Sequence, residues 1–492
     1  MNILAIDLGT QSIRAAIVNK DGKILAVTQL QQEVFSPFPG WAQQKPQLWW
    51  ELTKQAIQDL LKKSKIDVDS IQGISTCGQM HGPVGIDEGG EITTEWTQIW
   101  MDKRCENICD IIKKEHDESD LANITGNPIT TGWPGVKVRW IKDNQPVIYE
   151  KTKFFLVPKD FINYQLTGIA ATDPSEASGT YLYDFNTNNY NKHMAKVLDV
   201  DINKFAPISE SYETIGFVRE EISKELGIPA NIPVVAGGGD FIVSLLGLGF
   251  VGEGSAVDMT GTSTLFVVHK DKPIVHPLVQ NLRHVIEGWV PFTMLDTGGL
   301  SMKWCKDFLS STGKGEISYE KMISMAEKIP VGSNGLLFYP YMLGERRKEN
   351  AMARGCYYGL TLNHKAAHLA RSVMEGVALA IGKDVQNFRD LGVDIRQVYC
   401  IGGATRNRLL YQIKADVMQI SQILTDEPEA SLRGSGLLAA YGLGLIKDIT
   451  KTAKIEDSKK IIIEPNKSAA EEYAKLLEEF KRMYNHMIGY WN

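Results

Sequence analysis

Three short turns in the chain combine glycine with hydroxyl or acidic side chains in a way that could handle phosphate: Asp7-Leu8-Gly9-Thr10-Gln11-Ser12, Asp258-Met259-Thr260-Gly261-Thr262-Ser263, and Gly402-Gly403 through Asn407. Glycine lets backbone amides approach a phosphate closely, hydroxyls add donors, and a carboxylate at a strand end can hold a magnesium ion through water. Any one of them is also readable as a turn that uses glycine for its geometry. The first two, however, match each other residue by residue with one insertion, which accidental turns do not explain. A fourth feature is Asp240, which follows the apolar run Ile232 to Ala236 and three glycines. Such a carboxylate could accept a proton from an approaching hydroxyl, or it could cap the helix that follows. Met80-His81, flanked by Gly78-Gln79 and Gly82, offers a thioether and an imidazole that suit a polyol or a core.

These residues need elements to hold them. Asn2 to Ile6 and Ile13 to Val18 are apolar around the first turn and read as strand, turn, strand, with Asn19-Lys20-Asp21-Gly22 closing a hairpin. Pro46 to Lys63 carries Trp49, Leu52, Ala56, Ile57, Leu60 and Leu61 at helical spacing, and Ile71 to Ser75 reads as a strand delivering Gly78 to Gly82. The opening pattern returns at Ser255 to Asp271, about 250 residues on. Solenoid repeats run about 20 to 50 residues, so this is a duplication of a whole lobe. The boundary is expected near Phe250 to Gly254, giving an α/β protein with one lobe over 1–250 and another over 251–492. A long helix over His368 to Phe388, a strand over Val398 to Ile401, and a closing helix behind a Ser468/Glu471 capping box complete the second lobe. No linker separates the halves, so a cleft between them is the expected place for ligands.

Composition excludes several classes. The 492 residues are 43% hydrophobic and 23% charged, within the range of soluble globular proteins. Lysine and arginine number 53 against 59 acidic residues, a net charge of −6, which offers no basic excess for nucleic acid. Six cysteines in so long a chain point to a reducing, cytoplasmic setting. The start Met1 to Asp7 has no signal-peptide pattern, and the apolar run Phe241 to Gly252 falls short of the roughly 20 residues that span a bilayer. Gly247-Leu248-Gly249-Phe250-Val251-Gly252 imitates a dinucleotide fingerprint but follows a helical stretch instead of a strand. Gly313-Lys314-Gly315 lacks the hydroxyl residue of a Walker loop, and Cys105 with Cys109 lacks a second pair for zinc.

The three turns together resemble the two phosphate loops and the adenosine loop of the actin-like ATPase superfamily. Within it, Gly132 to Trp140 and Gly355 to Leu360 followed by His368 to Glu375 are similar to the two signatures of the FGGY carbohydrate kinases. Trp100-Met101-Asp102-Lys103-Arg104 and Thr172-Asp173 with Ser175, Ala177 and Ser178 resemble further family segments, and the likeness runs from residue 1 to about 445. Pro39-Gly40-Trp41, Trp49, Gly78-Gln79-Met80-His81-Gly82 and Gly237-Gly238-Gly239-Asp240 look most like the xylulokinase branch. Two places depart from that branch: Gly344-Glu345-Arg346 continues as Arg347-Lys348-Glu349, and Phe241-Ile242-Val243 follows Asp240 where small residues are usual.

The resemblance implies two actin-like, ribonuclease H-like lobes, each a mixed sheet flanked by helices, with the active-site cleft between them. It implies an ATP- and Mg2+-dependent kinase that phosphorylates the terminal hydroxyl of a ketopentose, D-xylulose to D-xylulose 5-phosphate. The N-terminal lobe would bind sugar and the C-terminal lobe nucleotide. Asp240 would be the catalytic base. Gln79, Met80, His81, Trp100, Asp102 and Arg104 would contact sugar, although an Asp102–Arg104 ion pair could instead hold a loop. Asp7 would organise magnesium, with Gly9, Thr10, Gln11 and Ser12 around the outgoing phosphates and Gly261 and Thr262 on the γ-phosphate. Gly402, Gly403 and Asn407 would border the adenosine, with Asn407 alternatively a helix cap. The Glu345 to Glu349 run reads as a solvated loop. A homodimer, and no nucleic-acid or membrane partner, go with this reading. Another kinase of the family, acting on ribulose, gluconate or a polyol, and an actin-like ATPase without a sugar are the alternatives.

Overall fold

The strand Asn2–Leu8 is apolar throughout because both of its faces are covered. Leu4, Ile6 and Leu8 join an apolar cluster with Trp49, Ile57 and Leu60 of the helix Pro46–Ser64. Ile3 packs with Ala439 and Ala440, and Ala5 with Leu432, all from the helix Ala430–Gly442. A strand buried on two sides loses its polar alternation, which is why its sequence shows none. The computed structural model describes residues 1–312, 315–345, 352–425, 427–456 and 460–491.

The chain forms two compact units: Met1–Val251 with Lys270–Val290 and Glu429–Ile455, and Gly252–His269 with Pro291–Pro428 and Glu456–Asn492. The first cut falls at the glycine-rich stretch, and residues from 251–492 contribute to both units. The second face of the first unit's sheet needs a cover, and the helix Ala430–Gly442 supplies it from far along the chain. Glycines allow that helix to come close. A Cβ on Gly434 would stand 2.1 Å from Val243 O, and one on Gly247 1.8 Å from Ala430 O, so the helices Asp240–Gly247 and Ala430–Gly442 meet backbone to backbone.

In the first unit the strand order is Thr214–Phe217, Pro233–Gly239, Ile71–Gly78, Asn2–Leu8, Ser12–Asn19, Ile24–Gln31. The three middle ones, Pro233–Gly239, Ile71–Gly78 and Asn2–Leu8, are parallel, and the rest pair antiparallel. The second unit repeats the plan. Trp289–Leu295, Thr264–Val268, Gly254–Thr260, Ile395–Ile401, Ser421–Thr425 and Lys460–Ile463 follow one another, with Gly254–Thr260, Ile395–Ile401 and Ser421–Thr425 parallel. In each sheet the strand that carries the acidic turn at its end forms an antiparallel hairpin with the next, Asn2–Leu8 with Ser12–Asn19 and Gly254–Thr260 with Thr264–Val268.

The helices expected over Pro46 to Lys63 and His368 to Phe388 are Pro46–Ser64 and Ala366–Asp390. The closing helix, Lys467–Trp491, is not opened by Ser468. Asn466 does that work: its Oδ1 accepts Ala469 N at 3.2 Å and its carbonyl accepts Ala470 N at 2.8 Å, so Ser468 lies two residues too late. Residues Arg346 to Glu349 lie outside the described residues.

Candidate active site

Parallel strands in register end at one edge of the sheet, and ligands gather there. In the first unit Gly78 pairs with Leu8 on one side and Gly239 on the other, so the Asp7 turn, the Gln79-Met80-His81 segment and Asp240 emerge side by side. Met80 packs onto the Asp240 turn: a Cβ on Gly239 would stand 2.6 Å from its sulfur. Any larger residue at 239 would evict the thioether.

Asp240 opens the helix Asp240–Gly247, with Gly239 in the cap position. Its Oδ1 accepts Phe241 N at 2.7 Å, while Oδ2 takes no hydrogen bond among the described residues. One oxygen therefore serves the helix and the other remains open to a ligand. Burial pushes this carboxyl up to about 7, the Asp7 carboxylate adds to the rise, and the Phe241 amide and Arg14 act against it. A carboxyl poised there can accept a hydroxyl proton near neutral pH.

Asp7 is buried. Its Oδ2 accepts from Arg14 and, at 2.7 Å, from Ser431 Oγ. Arg14 is held in turn by Glu429 at 2.6 Å. Asp7 Oδ1 is buried with no hydrogen-bond partner among the described residues. An ionised oxygen left in that state is the kind of acceptor a cation or its water completes.

His81 adopts a left-handed φ of 71°. Its ring meets Trp133 edge-on with centroids 5.2 Å apart, and its Nδ1 is buried without a hydrogen-bond partner among the described residues. Burial, with the Lys137 ammonium nearby, holds the imidazole down to about 3, so it is neutral and can both donate and accept. Lys137 itself is fully buried and donates to the carbonyls of His81 and Ile99, each at 2.9 Å, which ties the two loops together.

The other expected sugar contacts have different partners. Gln79 is buried, accepting from Thr10 Oγ1 at 3.3 Å and donating to Gln44 Oε1 at 2.7 Å. Trp100 Nε1 donates to Thr10 Oγ1 at 3.0 Å. Both brace the turn from Asp7 to Ser12, as do Gln44 on Thr10 O and Gln32 on Gly9 O. Asp102 is fully buried; it takes Ala42 N at 2.6 Å, Arg104 N at 2.9 Å and the Arg104 guanidinium on both oxygens. Arg104 also bonds Gln43 Oε1 and stacks 3.7 Å above the Trp41 ring. This pair holds a loop and has no open oxygen for a hydroxyl.

In the second unit Gly261 and Thr262 are exposed at the tip of their turn, and Gly402 and Gly403 at the end of Ile395–Ile401. Gly402 has φ 94° and sits so close to Thr260 O that a Cβ would approach it to 2.4 Å. Only glycine lets the two loops touch. The N-terminal end of the helix Gly298–Thr312 packs on the same turn, Leu300 N donating to Thr262 O at 3.0 Å. Beneath it Asp258 is buried against Lys414 at 2.6 Å and Thr260 Oγ1 at 2.5 Å. Asn407 caps the helix Arg408–Met418 through Leu410 N at 3.1 Å. Arg14, Lys137 and Lys414 were not among the expected site residues. Their signal is a charge within an otherwise apolar pattern, as in Ile13-Arg14-Ala15 and Ile413-Lys414-Ala415.

Models of the FGGY family of carbohydrate kinases match the chain twice: the N-terminal domain over residues 2–247 and the C-terminal domain over 257–443. The xylulose kinase of Bacillus subtilis (strain 168) is 27% identical over 98% of this chain and 97% of its own. That of Staphylococcus epidermidis (strain ATCC 12228) is 29% identical over 98% and 96%. Among solved structures, the xylulose kinase from Rhodospirillum rubrum matches with a TM-score of 0.93 at 26% identity, covering all of both chains.

Proposed function

The chain belongs to the FGGY family of carbohydrate kinases, and from that premise we propose that it transfers the γ-phosphate of ATP to the terminal hydroxyl of a ketopentose, D-xylulose being the substrate. The observation that carries the reading is the alignment of Asp7, Met80-His81 and Asp240 at neighbouring ends of three parallel strands, with Asp240 Oδ2 open.

Phosphoryl transfer asks a protein chiefly for positioning and charge stabilisation, plus an acceptor for the nucleophile's proton. Asp240 Oδ2 takes the hydroxyl proton as the oxygen attacks. Met80 packs along the sugar's carbon skeleton, and neutral His81 exchanges hydrogen bonds with its hydroxyls. Asp7 Oδ1, orphaned and buried, fits a magnesium ion or its water, and such an ion supplies charge neutralisation to the phosphates. The turn Gly9 to Ser12 and the exposed Gly261-Thr262 offer backbone amides and hydroxyls to phosphate oxygens, and Gly402-Gly403 offers open backbone to the nucleoside.

The test is a panel of D-xylulose, D-ribulose, gluconate and glycerol with MgATP and coupled ADP detection. D-xylulose is expected to give the highest kcat/KM. A preference for gluconate or ribulose would replace the substrate, and ADP release unaffected by any of them would remove the sugar-kinase reading.

A further inference from the structure

The turn that ends in Asp240 is gripped by buried side chains that the base itself does not explain. The strand Pro233–Gly239 slips register against Ile71–Gly78 between Val235 and Gly238, and a bulge leaves backbone groups without ladder partners. Side chains take them over. Ala236 O accepts Lys159 Nζ at 3.0 Å and Asn163 Nδ2 at 2.8 Å. Gly239 N donates to Ser175 Oγ at 3.0 Å.

The two grips are joined through Asp173. Its Oδ2 accepts Ser175 Oγ at 2.6 Å, Ser175 N at 2.9 Å and Ser211 Oγ at 2.7 Å, and its Oδ1 lies 3.1 Å from Lys159 Nζ. Lys159, Asn163, Asp173 and Ser175 are all fully buried, so none can exchange its partner for water. Asp160 bonds the same ammonium, and Glu176 lies in the same cluster with neither oxygen hydrogen-bonded among the described residues. Burial pushes the Glu176 acid well above the usual carboxylate range.

Gly237, Gly238 and Gly239 have no side chains to stiffen the turn, and Gly237 takes a φ of 74°. The place of Asp240 must therefore be set from outside. We propose that Lys159, Asp173 and Ser175 are positioning residues for Asp240: they fix the backbone from Ala236 to Gly239, and so the carboxylate, without touching the sugar. The proposal rests on Asp240 being the base.

The test is Ser175→Ala in the full chain with MgATP and D-xylulose. A small misplacement of a reacting group can cost on the order of a hundredfold, so kcat is expected to fall roughly 10- to 100-fold while both KM values stay within about threefold. Melting should shift by only a few degrees. Ser175→Thr, which keeps the hydroxyl, should recover most of the loss. Placed on Asp240→Asn, Ser175→Ala should reduce the residual turnover no further, because the two act as one unit. Wild-type kcat in Ser175→Ala beside a dead Asp240→Asn would overturn the positioning role and leave the base standing. Additive loss on Asp240→Asn, or no rescue by threonine, would also overturn it. Near-normal turnover in Asp240→Asn alone would overturn the base and this proposal together. Should Ser175→Ala not fold, Ser175→Cys, of similar size but a poor acceptor, is read by the same criteria.

Discussion

The chain builds the same acidic turn twice and equips the copies differently. In the first unit Asp7 gives one oxygen to Arg14 and Ser431 and keeps the other buried and unpartnered. In the second unit Asp258 gives one oxygen to Lys414 and the other to Thr260, so both are engaged. Both carboxylates are out of solvent, at 1% and 0% exposure, where an ionised oxygen needs a partner. The duplication thus preserved a backbone and divided its chemistry: Asp258 is a stiff footing under exposed Gly261 and Thr262, and Asp7 is proposed as the seat for a cation.

That contrast can be broken most forcefully at Asp258. Substitution by Ala strands the buried Lys414 ammonium and is expected to cost about 3–5 kcal/mol, read as an earlier urea unfolding transition. Adding Lys414→Met should return much of it. Asp7→Asn should act on turnover instead. Arg14 keeps Glu429, so the protein stays folded, while kcat falls roughly 100- to 1000-fold and the magnesium requirement rises. Equal effects of the two substitutions on magnesium dependence would erase the distinction.

The pH profile sharpens it further. As the proposed base, Asp240 would have to be ionised to act and is pushed up to about 7, so kcat/KM for the sugar should be level above that pH and drop about tenfold per unit below it. Asp7→Asn removes a neighbouring negative charge and should move the break to lower pH. The same shift has a stability sign. A carboxyl held above its unfolded value favours the fold when protonated, so ionised Asp240 costs stability at pH 8. Asp240→Asn should therefore melt higher than wild type at pH 8, with the gap closing as pH falls through 7 toward 4. Smaller still, His81→Ala should raise the sugar KM about tenfold with little change in the nucleotide KM, and an unchanged sugar KM would make His81 structural.

Much of this was legible in the sequence where one principle dominates. The meander around Asp7 follows from apolar runs broken by a polar turn, and its recurrence at Asp258 exposed the duplication. Asp240 announced itself through three glycines at a strand end. The partners that complete these residues were not legible, because they come from far along the chain: Ser431 and Glu429 reach Asp7 and Arg14, and Lys414 reaches Asp258. For the same reason the first unit's share of Glu429–Ile455 could not be read from a boundary at residue 250. Asp102, Arg104 and Gln79 carry sugar-like chemistry in sequence, but their hydrogen bonds are used within the protein, which only coordinates reveal.

The central claim, that Asp240 is the base of a ketopentose kinase, is tested most directly by Asp240→Asn assayed for both turnover and nucleotide binding. The change keeps the shape of the side chain and removes its proton affinity. The account predicts kcat with D-xylulose lower by roughly 100- to 10,000-fold, with MgATP bound as tightly as by wild type. Turnover near the wild-type rate would contradict it.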